Sequence, residues 1–155
     1  MNNVKQHKLL IEQLDKKMNR FKMVEGYSTP STGWIHAIRT ALRMSLRQMG
    51  KKLSITPQSM KEIEQREKDG SITLKNLSEA GRVLDMQLVY GFIPKEESLE
   101  KMIEKKAYEI AKEIVERTSH SMMLEDQENS KQRIEKAIKE RADEIKNEMP
   151  GFLWD

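Results

Sequence analysis

Hydrogen-bonding and cationic side chains crowd into one stretch of the 155-residue chain, from Ser45 to Lys68. It holds the amides Gln48 and Gln58, the hydroxyls Thr56 and Ser59, and the carboxylate Glu62. Lys51, Lys52, Lys61, Arg66 and Lys68 supply positive charge. Such groups bind; they do not by themselves make or break bonds. The residue types that catalyse are not gathered anywhere. His7, His36 and His120 lie in different segments, with no H-E-x-x-H, no metal-ligand spacing and no nucleophile–base set. There is no glycine-rich phosphate loop. Cysteine is absent, which excludes disulfides and thiolate metal centres and fits a reducing cytoplasm. The expectation is a cytoplasmic binding protein without metal or cofactor, and not an enzyme.

Short helices must position these groups. Ser45-Leu46-Arg47-Gln48 is a capping box, with Ser at the N-cap and Gln three residues on, so a helix starts there and runs to about Leu53. Ser54-Ile55 form a tight turn. Thr56 caps the next helix, Pro57 fills its first position where a missing N–H costs nothing, and it continues through Gln65. Leu46, Met49, Leu53, Ile55, Met60 and Ile63 fall where such a pair buries side chains. Upstream, Trp34 to Met44 carries Ile35, Ile38 and Leu42 at helical spacing; His36 on that helix reads as packed or solvated. Downstream, Thr73 caps a helix whose Leu77, Ala80 and Leu84 face inward. The apolar run Leu88 to Ile93, ended by Pro94, reads as an extended segment.

The flanks are helical too. Residues 4–23 repeat Val4, Ile11 and Met18 every seven positions, with His7, Leu14 and Phe21 along the seam. Glu25 to Gly33 is a turn-rich linker. Beyond Pro94, Leu99, Ile103, Ala107, Ile110, Ile114 and Thr118 stripe one long polar helix, and Ile134, Ile138, Ile145 and Met149 a second. Glu125 to Ser130 supplies the turn between them, and Phe152-Leu153-Trp154 should tuck against a neighbouring surface. The fold class expected is all-α. It comprises an N-terminal helix and linker (1–32), a compact domain of five-helix type (33–94) and a C-terminal helical hairpin (95–155) that makes dimer or partner contacts. No run is long and apolar enough to span a membrane, and the N-terminus lacks the apolar core of a secretory signal. Charge is divided along the chain. Residues 1–94 carry 16 Lys/Arg against 9 Asp/Glu (+7) and residues 95–155 carry 12 against 16 (−4), giving the net +3. A basic front of this kind suits a polyanion.

Leu46-Arg47-Gln48-Met49-Gly50, Ile55-Thr56 and Met60-Lys61-Glu62-Ile63-Glu64 resemble the helix-turn-helix of lambda-repressor-like (Xre) regulators. Thr73 to Leu77 resembles the start of that family's fourth helix. Two positions depart from the pattern: Gly50 stands where Ala is usual, and Ser54 where a turn Gly is usual. The resemblance implies that the helix from Thr56 enters a major groove of double-stranded DNA. Gln58 would then read adenine, Lys61 guanine and Glu62 cytosine. Thr56, Ser59 and Gln48, with the N–H groups of both helix starts, would hold phosphates, anchored further by Lys51, Lys52, Arg66 and Lys68. One such helix reads only a few base pairs, so a homodimer on a palindromic operator is expected.

Gly33 to Arg39, Ser45 to Gln48, Ile72-Thr73-Leu74, Leu88-Val89-Tyr90, Ser119 to Met122 and Leu153-Trp154-Asp155 together make the chain similar to the family called mobile mystery protein A. That likeness covers nearly the whole chain. It implies an autorepressor that is also the antitoxin of a Fic/Doc-domain protein encoded beside it. Two alternatives stay open: a protein-interaction antitoxin without DNA binding, and a free-standing repressor without a toxin. Ser121 to Glu125 also resembles the start of the (S/T)-x-x-x-E-(G/N) helix by which some antitoxins block Fic enzymes. Asp126 departs from that pattern, and the end of a packed helix is the alternative reading.

Overall fold

The computed structural model describes residues 2–119 and 127–155, and the described chain is all-α. Seven helices follow one another: α1 (Asn2–Asn19), α2 (Trp34–Ala41), α3 (Leu46–Leu53), α4 (Pro57–Asp69), α5 (Leu74–Val83), α6 (Leu99–Ser119) and α7 (Gln127–Glu148). Short 3-10 turns at Arg20–Val24 and Gly151–Trp154 extend α1 and close the chain. None of these helices is long and apolar enough to cross a membrane. The Ser121 to Glu125 pattern lies outside the described residues.

The chain forms two compact units. One is Gly26–Tyr90; the other joins the chain up to Glu25 with the chain from Gly91 onward. The N-terminal helix thus groups with the hairpin, whereas the sequence pattern divides the chain into 1–32, 33–94 and 95–155. Ile11 of α1 packs on the core of the α6–α7 hairpin, made of Ile103, Ala107, Ala111, Ile138, Ile145 and Leu153. Polar groups fasten the same helices together. The Asp15 carboxylate accepts the backbone N–H of Leu99 at 2.7 Å and of Glu100 at 3.3 Å, satisfying donors that the first turn of α6 leaves free. Lys8 Nζ donates to Asn147 Oδ1 on α7 at 3.0 Å.

Several expected details differ. Ala111 and Val115, rather than Ile114 and Thr118, carry the α6 seam onward. Gln127 to Ser130 belong to α7 and not to a turn. Of the closing aromatic run only Leu153 is buried; Phe152 and Trp154 stay half exposed. Leu88 to Ile93 is irregular chain, since no described strand lies beside it to complete a ladder.

The Gly26–Tyr90 unit holds four helices, α2 to α5, and not five: after Leu84 the backbone turns left-handed at Asp85 (φ 59°) and no further helix forms before Tyr90. Its core is Ile35, Met49, Met60 and Ala80, one from each helix, with Leu84 just past α5, surrounded by partly buried residues including Ile38, Leu53, Ile55, Ile63 and Leu77. Met49 and Met60 are fully buried, and they join α3 to α4. α4 runs one turn beyond the expected Gln65. It ends at Gly70, whose left-handed φ of 77° lets Ser71 N–H return to the Arg66 carbonyl at 2.9 Å.

Candidate nucleic-acid interface

The sequence specifies the start of α3 twice over. Ser45 Oγ accepts from Gln48 N–H at 3.1 Å, and Gln48 Oε1 accepts from Ser45 N–H at 2.8 Å. Gln48 is therefore a capping residue whose remaining side-chain group, the amide NH2, is a donor on an exposed surface. The turn out of α3 is tight. Ser54 is left-handed (φ 57°, ψ 39°), and Ile55 N–H donates to the Gly50 carbonyl at 2.8 Å. A Cβ on Gly50 would lie 2.8 Å from the Ile55 carbonyl oxygen, so the absence of a side chain there is what lets the turn close. The two departures from the helix-turn-helix pattern thus sit on either side of one turn.

Thr56 opens α4. Its Oγ1 accepts from Ser59 N–H at 3.1 Å and donates to Ser59 Oγ at 2.9 Å. Both hydroxyls that the sequence suggested as phosphate contacts are engaged with each other, and Ser59 is only partly exposed. Gln58, Lys61 and Glu62 occupy positions i, i+3 and i+4 of α4, all exposed, on one face. Gln65 continues that face one turn on, with its amide tied to Asp69 at 3.0 Å. Arg66 and Lys68 are exposed toward the end of the helix.

The opposite face of α4 is fixed to α2 by two carboxylates that sequence reasoning missed. Glu64, only 6% exposed, receives both Nε and Nη2 of Arg39, the latter at 3.1 Å, and lies 2.9 Å from His36 Nδ1. Arg39 also donates through Nη1 to the Met44 carbonyl at 2.7 Å, so one guanidinium links α2, α4 and the loop before α3. Burial pushes the Glu64 carboxyl up, but the hydrogen bonds and charges of Arg39 and His36 outweigh it and hold its pKa below the ordinary 4.5. One turn further along, Glu67 accepts the backbone N–H of Trp34 and of Ile35 (3.1 Å) at the start of α2. Gly33 has a φ of 85°, and a Cβ there would come within 3.0 Å of the Glu67 carboxyl carbon.

Lys51 and Lys52, both exposed, line an open depression of about 570 Å³ with Leu42, Arg43, Met44 and Gln48. Arg43 was not singled out by the sequence. It stands between α2 and α3 in a left-handed conformation (φ 54°), where no helical periodicity marks it. Lys51 and Lys52 of α3 thus lie with Arg43 and Gln48 around one hollow, while Gln58, Lys61 and Glu62 share the outer face of α4.

Among known proteins, no family model, no curated sequence and no solved structure matches the chain.

Proposed function

We propose that Gly26–Tyr90 is a helix-turn-helix DNA-binding domain of the phage-repressor type, with α4 as its recognition helix. The chain is a transcriptional regulator that acts in the cytoplasm as a homodimer on a palindromic operator. One observation carries this reading. α4 is held from behind by Glu64 and Glu67, while Gln58, Lys61 and Glu62 project from its opposite face near the N-terminal end. A reader of base edges needs that division, because side chains that discriminate bases must be presented from a backbone that does not shift. Arg43, Lys51, Lys52 and Gln48 flank the reader with donors suited to phosphate oxygens. The likeness to mobile mystery protein A supplies the setting: autorepression of an operon shared with a Fic/Doc-domain toxin, which the chain also neutralises.

Binding to the chain's own promoter fragment and to a scrambled duplex, over a range of salt, tests the reading. Preference for the promoter, reduced by about 1–3 kcal/mol in Gln58→Ala, is the expected result. Equal, steeply salt-dependent binding to both duplexes refutes sequence reading, and absence of binding refutes the function.

A further inference from the structure

The charged residues of the second unit are of two kinds. On the α6–α7 hairpin most cations have carboxylate partners in the same unit, Lys106, Lys131 and Arg133 being the ones with none among the described residues: Lys101 meets Glu104 at 3.0 Å, Lys105 meets Glu96, and Lys146 meets Glu104 at 2.6 Å and Glu100 at 3.3 Å. On α1 and its 3-10 extension the reverse holds. Among the described residues, Lys5, Lys16, Lys17 and Arg20 are exposed and make no ion pair. Of the two carboxylates of α1, Asp15 points inward to cap α6, which leaves Glu12 alone on the exposed side.

The spacing is regular. Lys5 and Lys16 stand at i and i+11, one face of a helix with 3.6 residues per turn; Glu12 at i+7 shares that face, Arg20 follows it at the start of the 3-10 turn, and Lys17 borders it. The buried side of α1, with Ile11, is the other face. Lys5 to Arg20 spans about 22 Å at 1.5 Å per residue, or about two-thirds of one duplex turn. Such a row of unpartnered cations complements a phosphate backbone, whose charges recur every 1.7 Å or so of duplex axis.

We infer that the outer face of α1 is a second, sequence-independent DNA contact that holds phosphates. The inference rests on the DNA-binding reading and adds a surface to it. α4 sets which sequence is bound, while α1 contributes affinity that does not depend on sequence and vanishes in salt.

The full-length chain bearing Lys16→Gln, Lys17→Gln and Arg20→Gln is compared with wild type on the promoter fragment and on the scrambled duplex. Every phosphate that is no longer neutralised lowers the slope of log K against log salt by about 0.9; with three cations lost from each protomer of the dimer, the variant's slope is expected to be shallower by about 5. Affinity should fall by the same factor on both duplexes, leaving the promoter preference intact, whereas Gln58→Ala lowers the preference. The equivalent Lys→Arg replacements at 16 and 17 should keep the wild-type slope. Lys5→Gln with Lys17→Gln, split between the two ends of α1, is a second variant whose slope should fall by about 3–4 for the dimer. Thermal unfolding of each variant should match wild type, since all four side chains are solvated. If the glutamine variants keep the wild-type slope and preference, α1 does not touch DNA and the reading of α4 stands. If they bind more weakly on the promoter alone, α1 reads sequence and the inference is wrong. If wild type shows no promoter preference at any salt, the underlying reading fails and takes this one with it.

Discussion

Replacing Glu64 with alanine leaves Arg39 inside the Gly26–Tyr90 unit with its guanidinium facing an empty site. The Arg39 side chain is 12% exposed and that of Glu64 7%, so the guanidinium keeps its bond to the Met44 carbonyl but loses its charge partner in a largely buried site. Removing one member of a buried pair costs about 3–5 kcal/mol, mostly from the charge left behind. For a domain of this size 1 kcal/mol shifts Tm by about 4–8 °C, which places the fall in the range of roughly 12–40 °C. Tryptophan fluorescence isolates the unit: of the two tryptophans, Trp34 lies in it and Trp154 in the other, so Trp154→Phe leaves a single reporter. A double variant, Glu64→Leu with Arg39→Met, removes both charges and should recover most of the stability, because paired removal is often neutral. The effect should also depend on pH in one direction. The folded-state pKa of Glu64 is lowered, so its contribution is complete above the ordinary value of 4.5 and drains as pH falls through the lower folded value. The gap between wild type and Glu64→Ala should therefore narrow only below pH 4.5. A single-variant cost under 1 kcal/mol, or a double variant as unstable as the single one, would refute the account of a carboxylate holding a buried cation.

Other substitutions probe the turn and the caps. Gly50→Ala drives a methyl group to 2.8 Å from the Ile55 carbonyl oxygen, which is backbone and cannot swing aside. A destabilisation of about 1–2 kcal/mol in urea unfolding is expected despite the better helix propensity of alanine, and a gain would contradict it. Ser54→Gly relieves the left-handed φ of 57° and should stabilise the same unit by roughly 0.5–1 kcal/mol in that assay. Asp15→Ala removes the acceptor for Leu99 and Glu100 N–H, and should lower the unfolding midpoint reported by Trp154 by the equivalent of about 0.5–2 kcal/mol while leaving that of Trp34 unchanged.

Structure set by neighbouring residues is legible in the sequence, and structure set by distant partners is not. Ser45 with Gln48, Thr56 with Ser59 and Thr73 with Asn76 bond across three residues, so spacing alone reveals the starts of α3, α4 and α5. Burial of Met49 and Met60 follows from periodicity for the same reason. Glu64 and Glu67 are different. In the sequence they look like two more charges on a polar helix, yet the groups that bury them lie 25 to 33 residues earlier. Asp15 caps a helix whose first residue is 84 positions away. These bonds join α1 to the hairpin and α2 to α4, which is why the division of the chain into units is not legible. The local stop signal for α4 is present in Gly70, but four polar residues after Gln65 obscure it. Gln58, Lys61 and Glu62 on the outer face of α4 are exposed and make no side-chain hydrogen bond or ion pair among the described residues, so their residue types alone suggest what they could touch. Their direction is set by the inner face. The outer face of α4 is thus specified twice: by outward residues that any sequence scan finds, and by inward carboxylates whose meaning exists only once α2 is folded beside them.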